Sequence, residues 1–203
     1  VNHLWKLLSD LDIPYATILD LDWGRKGGGW GRIKQTISEL LKIDVPPSQL
    51  FSMATTLEQA EQALEAFAVD SLNTTGMLDW FNRLELHKVF FCKPLDLDYS
   101  MLRSYRTAYQ THPDGLRGPS NLGDPRDAVL GDSGLPQAYN DTTTDDLRWY
   151  RYLFLGRGKP STHMRVLSSL SDADIAANIP PELRALLNAI EEELNPVTEA
   201  EVF

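Results

Sequence analysis

The stretch TILDLDWGRKGGGWGRIK, residues Thr17 to Lys34, decides how the fold of this chain is interpreted. An apolar run ends on two aspartates and continues into a glycine-rich loop and an amphipathic segment. This order predicts a buried strand over Tyr15–Leu21, a loop over Gly24–Gly31 and a helix over Arg32–Lys42. The stretch is typical of a strand–loop–helix unit.

The remaining sequence alternates predicted helices and strands. Apolar spacing predicts helices over residues 1–12, 57–68, 77–84, 161–170, 171–174 and 180–194, and another after Pro94. Strands are predicted over His87–Cys92 and Leu147–Leu155. This alternation indicates an α/β protein with a mostly parallel sheet flanked by helices.

A change of composition divides the chain. Residues 111–146 hold nine glycines and prolines and show no sustained periodicity, which favours an insertion or a functional loop. We interpret residues 1–100 as the first part of a core, with a helical segment at about 55–84. Residues 101–146 then form a helical and loop insertion, and residues 147–203 form the last part of the core and the C-terminal helices.

Composition bounds the class of protein. The 203 residues are 42% hydrophobic, enough for one sizeable core, and no apolar run approaches the roughly 18 residues of a membrane span. Cys92 is the single cysteine, which excludes an internal disulfide and a cysteine-based zinc site and favours a cytoplasmic protein. The net charge is −10, and residues 172–203 carry −7 of it. The rest can still present a local basic face, formed by Arg25, Lys26, Arg32 and Lys34.

Two pairs of aspartates follow predicted strands. Asp20 and Asp22 lie two apart, so their side chains leave one face and repel each other unless a cation lies between them. Asp96 and Asp98 repeat the pattern after His87–Cys92. Because ligands bind beyond the carboxyl ends of parallel strands, the pairs together suit two divalent cations and attack on a phosphodiester. Alternatively, Asp22 caps a turn, and Asp96 and Asp98 start a helix.

Two further features are cationic. The glycine loop matches neither the Walker A nor the dinucleotide pattern, so it is either a plain surface loop or a flexible cationic loop that admits a phosphate. Lys159 follows Gly158 at the expected start of a helix, where it suits the charge that develops on a phosphate, with Arg157 beside it. We interpret His163, one turn later, as structural.

Three runs in order, IPYATILDLDWGRKGGGWGRIK, FFCKPLDLDYSMLRSY and YRYLFLGRGKPSTHMRVLSSLSDADI, resemble the C-terminal nuclease region of class 2 OLD (overcoming lysogenization defect) family proteins. The resemblance covers nearly the whole chain. It implies a Toprim domain with helical insertions that acts as a metal-dependent DNA endonuclease with two Mg²⁺ or Mn²⁺ ions.

The resemblance also implies roles for single residues. Asp20 and Asp22 match the family's DxD pair, Asp96 and Asp98 the later ligand pair, with Cys92 and Lys93 as neighbouring alternatives, and Lys159 the essential lysine. DNA contacts are expected from Arg25, Lys26, Arg32 and Arg157.

Several expectations concern partners. The family has an N-terminal ATPase domain in the full-length protein, so no ATP is expected to bind to this chain. A homo-oligomer is compatible with the sequence.

The sequence departs from the family pattern at one point. The family's first strand carries a glutamate, and this sequence has no glutamate before Glu39.

Two rival functions remain open. The first is a haloacid-dehalogenase-like phosphatase with Asp20 as nucleophile, Asp22 as acid/base, and Asp172 and Asp174 as metal ligands, although Gly24 stands where that pattern expects Thr or Val. The second is a non-catalytic DNA-binding module stabilised by a metal ion.

Overall fold

The computed structural model describes residues 2–66, 74–111, 118–119, 123–155 and 159–195. In chain order the elements are α1 (Asn2–Asp10), β1 (Thr17–Asp20), α2 (Trp30–Lys42), α3 (Pro47–Leu50), α4 (Leu57–Ala66), α5 (Met77–Leu86), β2 (Val89–Cys92), α6 (Leu97–Ser104), α7 (Arg106–Gln110), α8 (Pro125–Leu130), α9 (Asp141–Tyr150), α10 (Lys159–Leu167), α11 (Asp172–Asn178) and α12 (Pro181–Leu194). A 3-10 turn (Pro136–Ala138) precedes α9, and a π-helical turn (Arg151–Leu155) follows it. No helix within these described ranges is both long and apolar enough to cross a membrane.

The strands β1 and β2 form a parallel two-stranded sheet. The amide of Thr17 donates to the carbonyl of Lys88 at 2.8 Å where the pairing begins. All four residues of β2, Val89 to Cys92, are buried, as expected of an apolar run without alternation. Both predicted strands are present with shorter bounds, but β1, which the sequence predicts as buried, is half-buried over its first three residues and exposed at Asp20. The chain is a mixed helix-and-strand protein.

The chain divides into two compact units that alternate along the sequence. Unit 1 comprises Val1–Leu19, Gly29–Phe91 and Ala185–Phe203, and unit 2 comprises Asp20–Gly28 and Cys92–Arg184. Both strands therefore lie mainly in unit 1, and their last residues, Asp20 and Cys92, belong to unit 2.

The core of unit 1 is built on amphipathic helices. In α2 the buried side chains include Ile33, Ile37 and Leu40, at the spacing that places them on one face of a helix. In α5 the buried residues are Met77, Trp80, Phe81 and Leu84, at the same kind of spacing. The sequence predicted both helices, and the structure confirms them.

Aromatic side chains dominate the core of unit 2. Tyr99 packs edge-on to Tyr139, with ring centroids 6.5 Å apart, and lies 6.2 Å from the ring of Tyr150. The ring of Phe154 lies 5.4 Å from that of Tyr150 and 5.9 Å from that of Tyr109. These contacts connect α6, α7, α9 and the π-helical turn into one packed layer.

The strand predicted over Leu147–Leu155 is wrong. This segment is the end of α9 and the π-helical turn, and its buried residues Leu147, Tyr150 and Phe154 recur every three or four positions. Asn140 caps α9 by accepting a hydrogen bond from the amide of Thr143, a start signal that lies upstream of the predicted strand. The aromatic residues of this segment favour a strand by composition, although its buried residues follow a helical period.

The remaining described segments differ from the predicted ones mainly in where each helix begins and ends. The helix predicted over 161–170 runs from Lys159 to Leu167, and Ser171 is the N-cap of α11. The described part of residues 111–146 contains α8, the 3-10 turn and the start of α9. Residues 67–68 of the predicted helix 57–68 lie outside the described ranges.

Candidate functional site

Unit 2 brings the two pairs of aspartates together. Beyond β1 and β2 the chain segments stay paired, because the amide of Leu21 donates to Cys92, that of Asp22 to Leu95 at 2.7 Å, and that of Trp23 to Pro94 at 2.9 Å. The amide of Leu97 also donates to Asp20 Oδ1 at 3.2 Å. This backbone pairing places Asp20 and Asp22 beside Asp96 and Asp98, as the sequence predicted.

Arg25 lies between the inner members of the two pairs. Its Nη1 donates to Asp22 Oδ1 at 2.6 Å and to Asp96 Oδ2 at 3.1 Å. Its Nη2 donates to the hydroxyl of Tyr150 at 3.1 Å, and its Nε to the carbonyl of Val129 at 3.1 Å. We call Arg25, Asp22, Asp96 and Tyr150 the Arg25 cluster.

The two carboxylates of the Arg25 cluster are buried. Asp22 and Asp96 are 8% and 4% exposed. Burial alone would lower the pKa of the Arg25 guanidinium, but hydrogen bonds to Tyr150 and Asp22 and the charge of Asp96 raise it above its ordinary value. Burial, and then the charge of Asp96, raise the pKa of the Tyr150 hydroxyl, which donates to Asp96 at 2.6 Å. The hydroxyl therefore stays a donor.

Asp96 has a second role. Its Oδ1 accepts a hydrogen bond from the amide of Tyr99 at 3.0 Å, which makes it the N-cap of α6. The helix-start interpretation of this aspartate is therefore confirmed, and the same carboxylate also binds Arg25.

The outer members of the pairs have different surroundings. Asp20 keeps an exposed edge, and partial burial together with the charges of Asp96, Asp22 and Asp98 raises its pKa, while the Leu97 amide lowers it. A nearby cation would relieve this cost. Asp98 instead is bound by Lys159 and by His163, whose Nε2 lies 2.8 Å from Asp98 Oδ1.

His163 completes a second cluster. Its other ring nitrogen, Nδ1, is hydrogen-bonded to the hydroxyl of the buried Tyr109, and its ring stacks on Phe154 at 5.1 Å. Burial raises the pKa of Asp98, but the hydrogen bonds from His163 and Lys159 outweigh it and hold that pKa below its usual range. We call Lys159, Asp98, His163 and Tyr109 the Lys159 cluster.

A tight turn explains why the loop that follows Asp22 contains glycine. The amide of Arg25 donates to the carbonyl of Asp22 at 2.9 Å, and the amide of Gly28 to that of Arg25 at 3.0 Å. A Cβ at Gly28 would lie 1.8 Å from the carbonyl oxygen of Asp22. A residue with a side chain would therefore not fit, and this close turn holds Arg25 beside the aspartates.

The predicted DNA-binding residues fall in different places. Arg25 is engaged inside unit 2, whereas Lys26, in the same unit, has an exposed side chain. Arg32 is exposed on α2 in unit 1. Arg157 lies outside the described residues.

The predicted metal ligands are close together but do not form a metal site in this arrangement. Within the described ranges, no group of three or more His, Cys, Asp or Glu side chains is arranged to hold an ion. The carboxylate oxygens are ligands that Mg²⁺ prefers, but those of Asp22, Asp96 and Asp98 converge on Arg25, Lys159 and His163 instead.

Sequence reasoning missed three partners in these clusters. Tyr150 lies in the segment for which the sequence predicts a strand, and the interpretation of His163 as structural names no contact for it. The sequence predicts a DNA contact for Arg25, although its position three residues after Asp22 in a tight turn is a local signal for an ion pair. Comparison of the chain with known protein families, curated proteins and solved structures finds no match.

Proposed function

We propose that this chain is the catalytic region of a metal-dependent DNA endonuclease with a Toprim-like fold. One observation carries the proposal: the ends of two parallel strands bring Asp20, Asp22, Asp96 and Asp98 together in unit 2, where Lys159 contacts Asp98. Carboxylates beyond strand ends with a lysine beside them suit hydrolysis of a phosphodiester. The resemblance to the OLD family nuclease region supports the same assignment.

Asp20 is the acidic residue best suited to the reacting water. It has an exposed edge, and its raised pKa makes its carboxylate a better proton acceptor than an ordinary aspartate. Mg²⁺ or Mn²⁺, when held by Asp20, would supply Lewis-acid stabilisation of the phosphate oxygens. Asp22 and Asp96 are engaged by Arg25 in the arrangement described above.

Lys159 is the residue best suited to the charge that develops on the phosphate. Its side chain is 47% exposed, and a compact ammonium exchanges partners readily. Asp98 has His163 as a second partner, so Lys159 can turn from Asp98 to a phosphate oxygen without leaving that carboxylate unpaired. His163 is then a positioning residue for Asp98.

DNA would be held mainly through its phosphates. Lys26 and Arg32 present exposed cationic side chains, and phosphate contacts give weak sequence preference and strong dependence on salt. An N-terminal ATPase domain in the full-length protein belongs to the same proposal, because the OLD family implies it, and a homo-oligomer is compatible with it.

The phosphatase rival fits the contacts less well. It needs Asp22 as a mobile acid/base, but Arg25 holds the carboxylate of Asp22 at 2.6 Å. It also needs Asp174 as a metal ligand, whereas Asp174 accepts a hydrogen bond from Ser171 at the start of α11, which is a capping contact. The nuclease is therefore the better-supported proposal.

Conversion of supercoiled plasmid to nicked and linear forms tests the proposal. We expect the native chain to cut with Mg²⁺ or Mn²⁺ and not with EDTA, and Asp20→Asn and Lys159→Ala to lose about 10²-fold or more of the rate. Asp132→Asn is the matched control, because it removes the same charge from an exposed site in unit 2. Hydrolysis of p-nitrophenyl phosphate without plasmid cleavage would contradict the nuclease and support the phosphatase.

A further inference from the structure

The Arg25 guanidinium occupies the point where two carboxylates meet. The single nitrogen Nη1 lies 2.6 Å from Asp22 Oδ1 and 3.1 Å from Asp96 Oδ2, so it bridges the two pairs of aspartates. A divalent cation shared by these carboxylates would need the same point, because metal–oxygen distances are about 2.0–2.6 Å. A metal ion and the guanidinium therefore cannot both bind there.

The contacts of Arg25 are those of a built site. Asp22 and Asp96 are buried, and the side chain of Arg25 is 26% exposed. Donors on all three guanidinium nitrogens have partners, namely the two carboxylates, the hydroxyl of Tyr150 and the carbonyl of Val129. Tyr150 closes the arrangement from the other side by donating to Asp96 at 2.6 Å. Planar recognition of this kind suits arginine and not a hydrated metal ion.

We propose that Arg25 is a built-in cation that takes the place of one metal ion between Asp22 and Asp96, so that a divalent ion binds this pair only when Arg25 is removed. The inference rests on the proposed function, because it concerns the metal that the nuclease would use. Asp20 is then the member of the first pair that remains available to an ion. Asp22 and Asp96 position Arg25 and the start of α6 and do not hold a metal.

Mn²⁺ titration by calorimetry tests the inference with three chains: the native chain, Arg25→Met and Lys26→Met. Methionine keeps an apolar stem and removes the charge, and Lys26→Met removes the same charge from the neighbouring exposed position. We expect Arg25→Met to bind one Mn²⁺ ion more than the native chain, and to lose that ion when Asp96→Asn is added. Lys26→Met should bind as the native chain does.

Equal binding by Arg25→Met and the native chain would overturn the inference. If Arg25→Met does not fold, the single variant Asp96→Asn decides the question. Binding of Mn²⁺ to Asp96→Asn that is unchanged from the native chain agrees with the inference. A loss of affinity of about tenfold, or the loss of one bound ion, overturns it.

The outcome for the nuclease is separate. A native chain that cuts DNA but loses Mn²⁺ on Asp96→Asn overturns the inference and leaves the nuclease standing. A native chain that neither binds Mn²⁺ nor cuts DNA contradicts the proposed nuclease function. The inference about Arg25 is then supported if Arg25→Met binds one Mn²⁺ ion, and it is overturned if this variant binds none.

Discussion

Asp96 and Asp98 stand two residues apart at the start of one helix, yet their cationic partners differ in kind. Asp96 belongs to the Arg25 cluster, where a largely buried guanidinium contacts four groups. Asp98 belongs to the Lys159 cluster, where a half-exposed ammonium shares the carboxylate with His163. The comparison teaches that the surroundings of a carboxylate, and not its spacing in the sequence, decide how deeply its cationic partner is buried.

The largest expected effect comes from removing each cation in turn. Arg25→Met leaves two buried carboxylates without their cation, so we expect the free energy of unfolding to fall by about 3–5 kcal/mol. Lys159→Met should lower it by less than about 1 kcal/mol, because that lysine is half exposed and His163 still binds Asp98. Urea denaturation of both variants measures the difference. Similar losses in the two would show that the clusters are equivalent.

A smaller effect reaches the Arg25 cluster through the backbone. Gly28→Ala places a methyl group against the carbonyl oxygen of Asp22 and forces the turn open, which we expect to lower the free energy of unfolding by about 2–3 kcal/mol. Gly31→Ala is the control, since no atom lies within 4 Å of a Cβ there and the position is helical. It should change stability by about 0.5 kcal/mol or less, or increase it. Equal effects in urea denaturation would argue against the tight turn.

The smallest effect is a gain. Because the pKa of Asp20 is raised in the folded protein, ionisation of this carboxyl costs stability above the raised pKa, and the cost is absent below the ordinary value of about 3.9. Asp20→Asn should therefore raise the free energy of unfolding at pH 7 by a few tenths of a kcal/mol, after allowance for solvent screening. The gain should vanish by about pH 3. Urea denaturation at both pH values checks this, and a less stable variant at pH 7 would show that burial and the neighbouring carboxylates do not destabilise the ionised Asp20.

Local patterns predicted much of the fold. The helical spacing of apolar residues was sufficient for α2 and α5, because each of these helices buries one face. The apolar runs located both strands, although only β2 is buried along its whole length. The paired aspartates after the strands also indicated where acidic residues gather. The segment over residues 147–155 failed because its aromatic residues favour a strand while their burial follows a helix.

The partners within the site could not be predicted in the same way. Tyr150 and His163 reach Asp96 and Asp98 from 54 and 65 residues away, and no local pattern encodes such distances. The repulsion between carboxylates indicated a cation but not its nature. Either Arg25 or a metal ion would neutralise the repulsion between the carboxylates, and only the folded structure shows which cation lies between them.

The burial of Cys92 gives the molecule an internal reporter. This side chain is 0% exposed, and burial, with the nearby charge of Glu182, raises the pKa of its thiol above the ordinary value. It ends β2, and its carbonyl accepts from the amide of Leu21 at the point where the paired segments lead to the aspartates. Since the chain has one cysteine, the rate at which a thiol reagent modifies it reports the opening of this strand end to solvent. The two rates become equal when the reagent is concentrated enough to modify the open form faster than it closes.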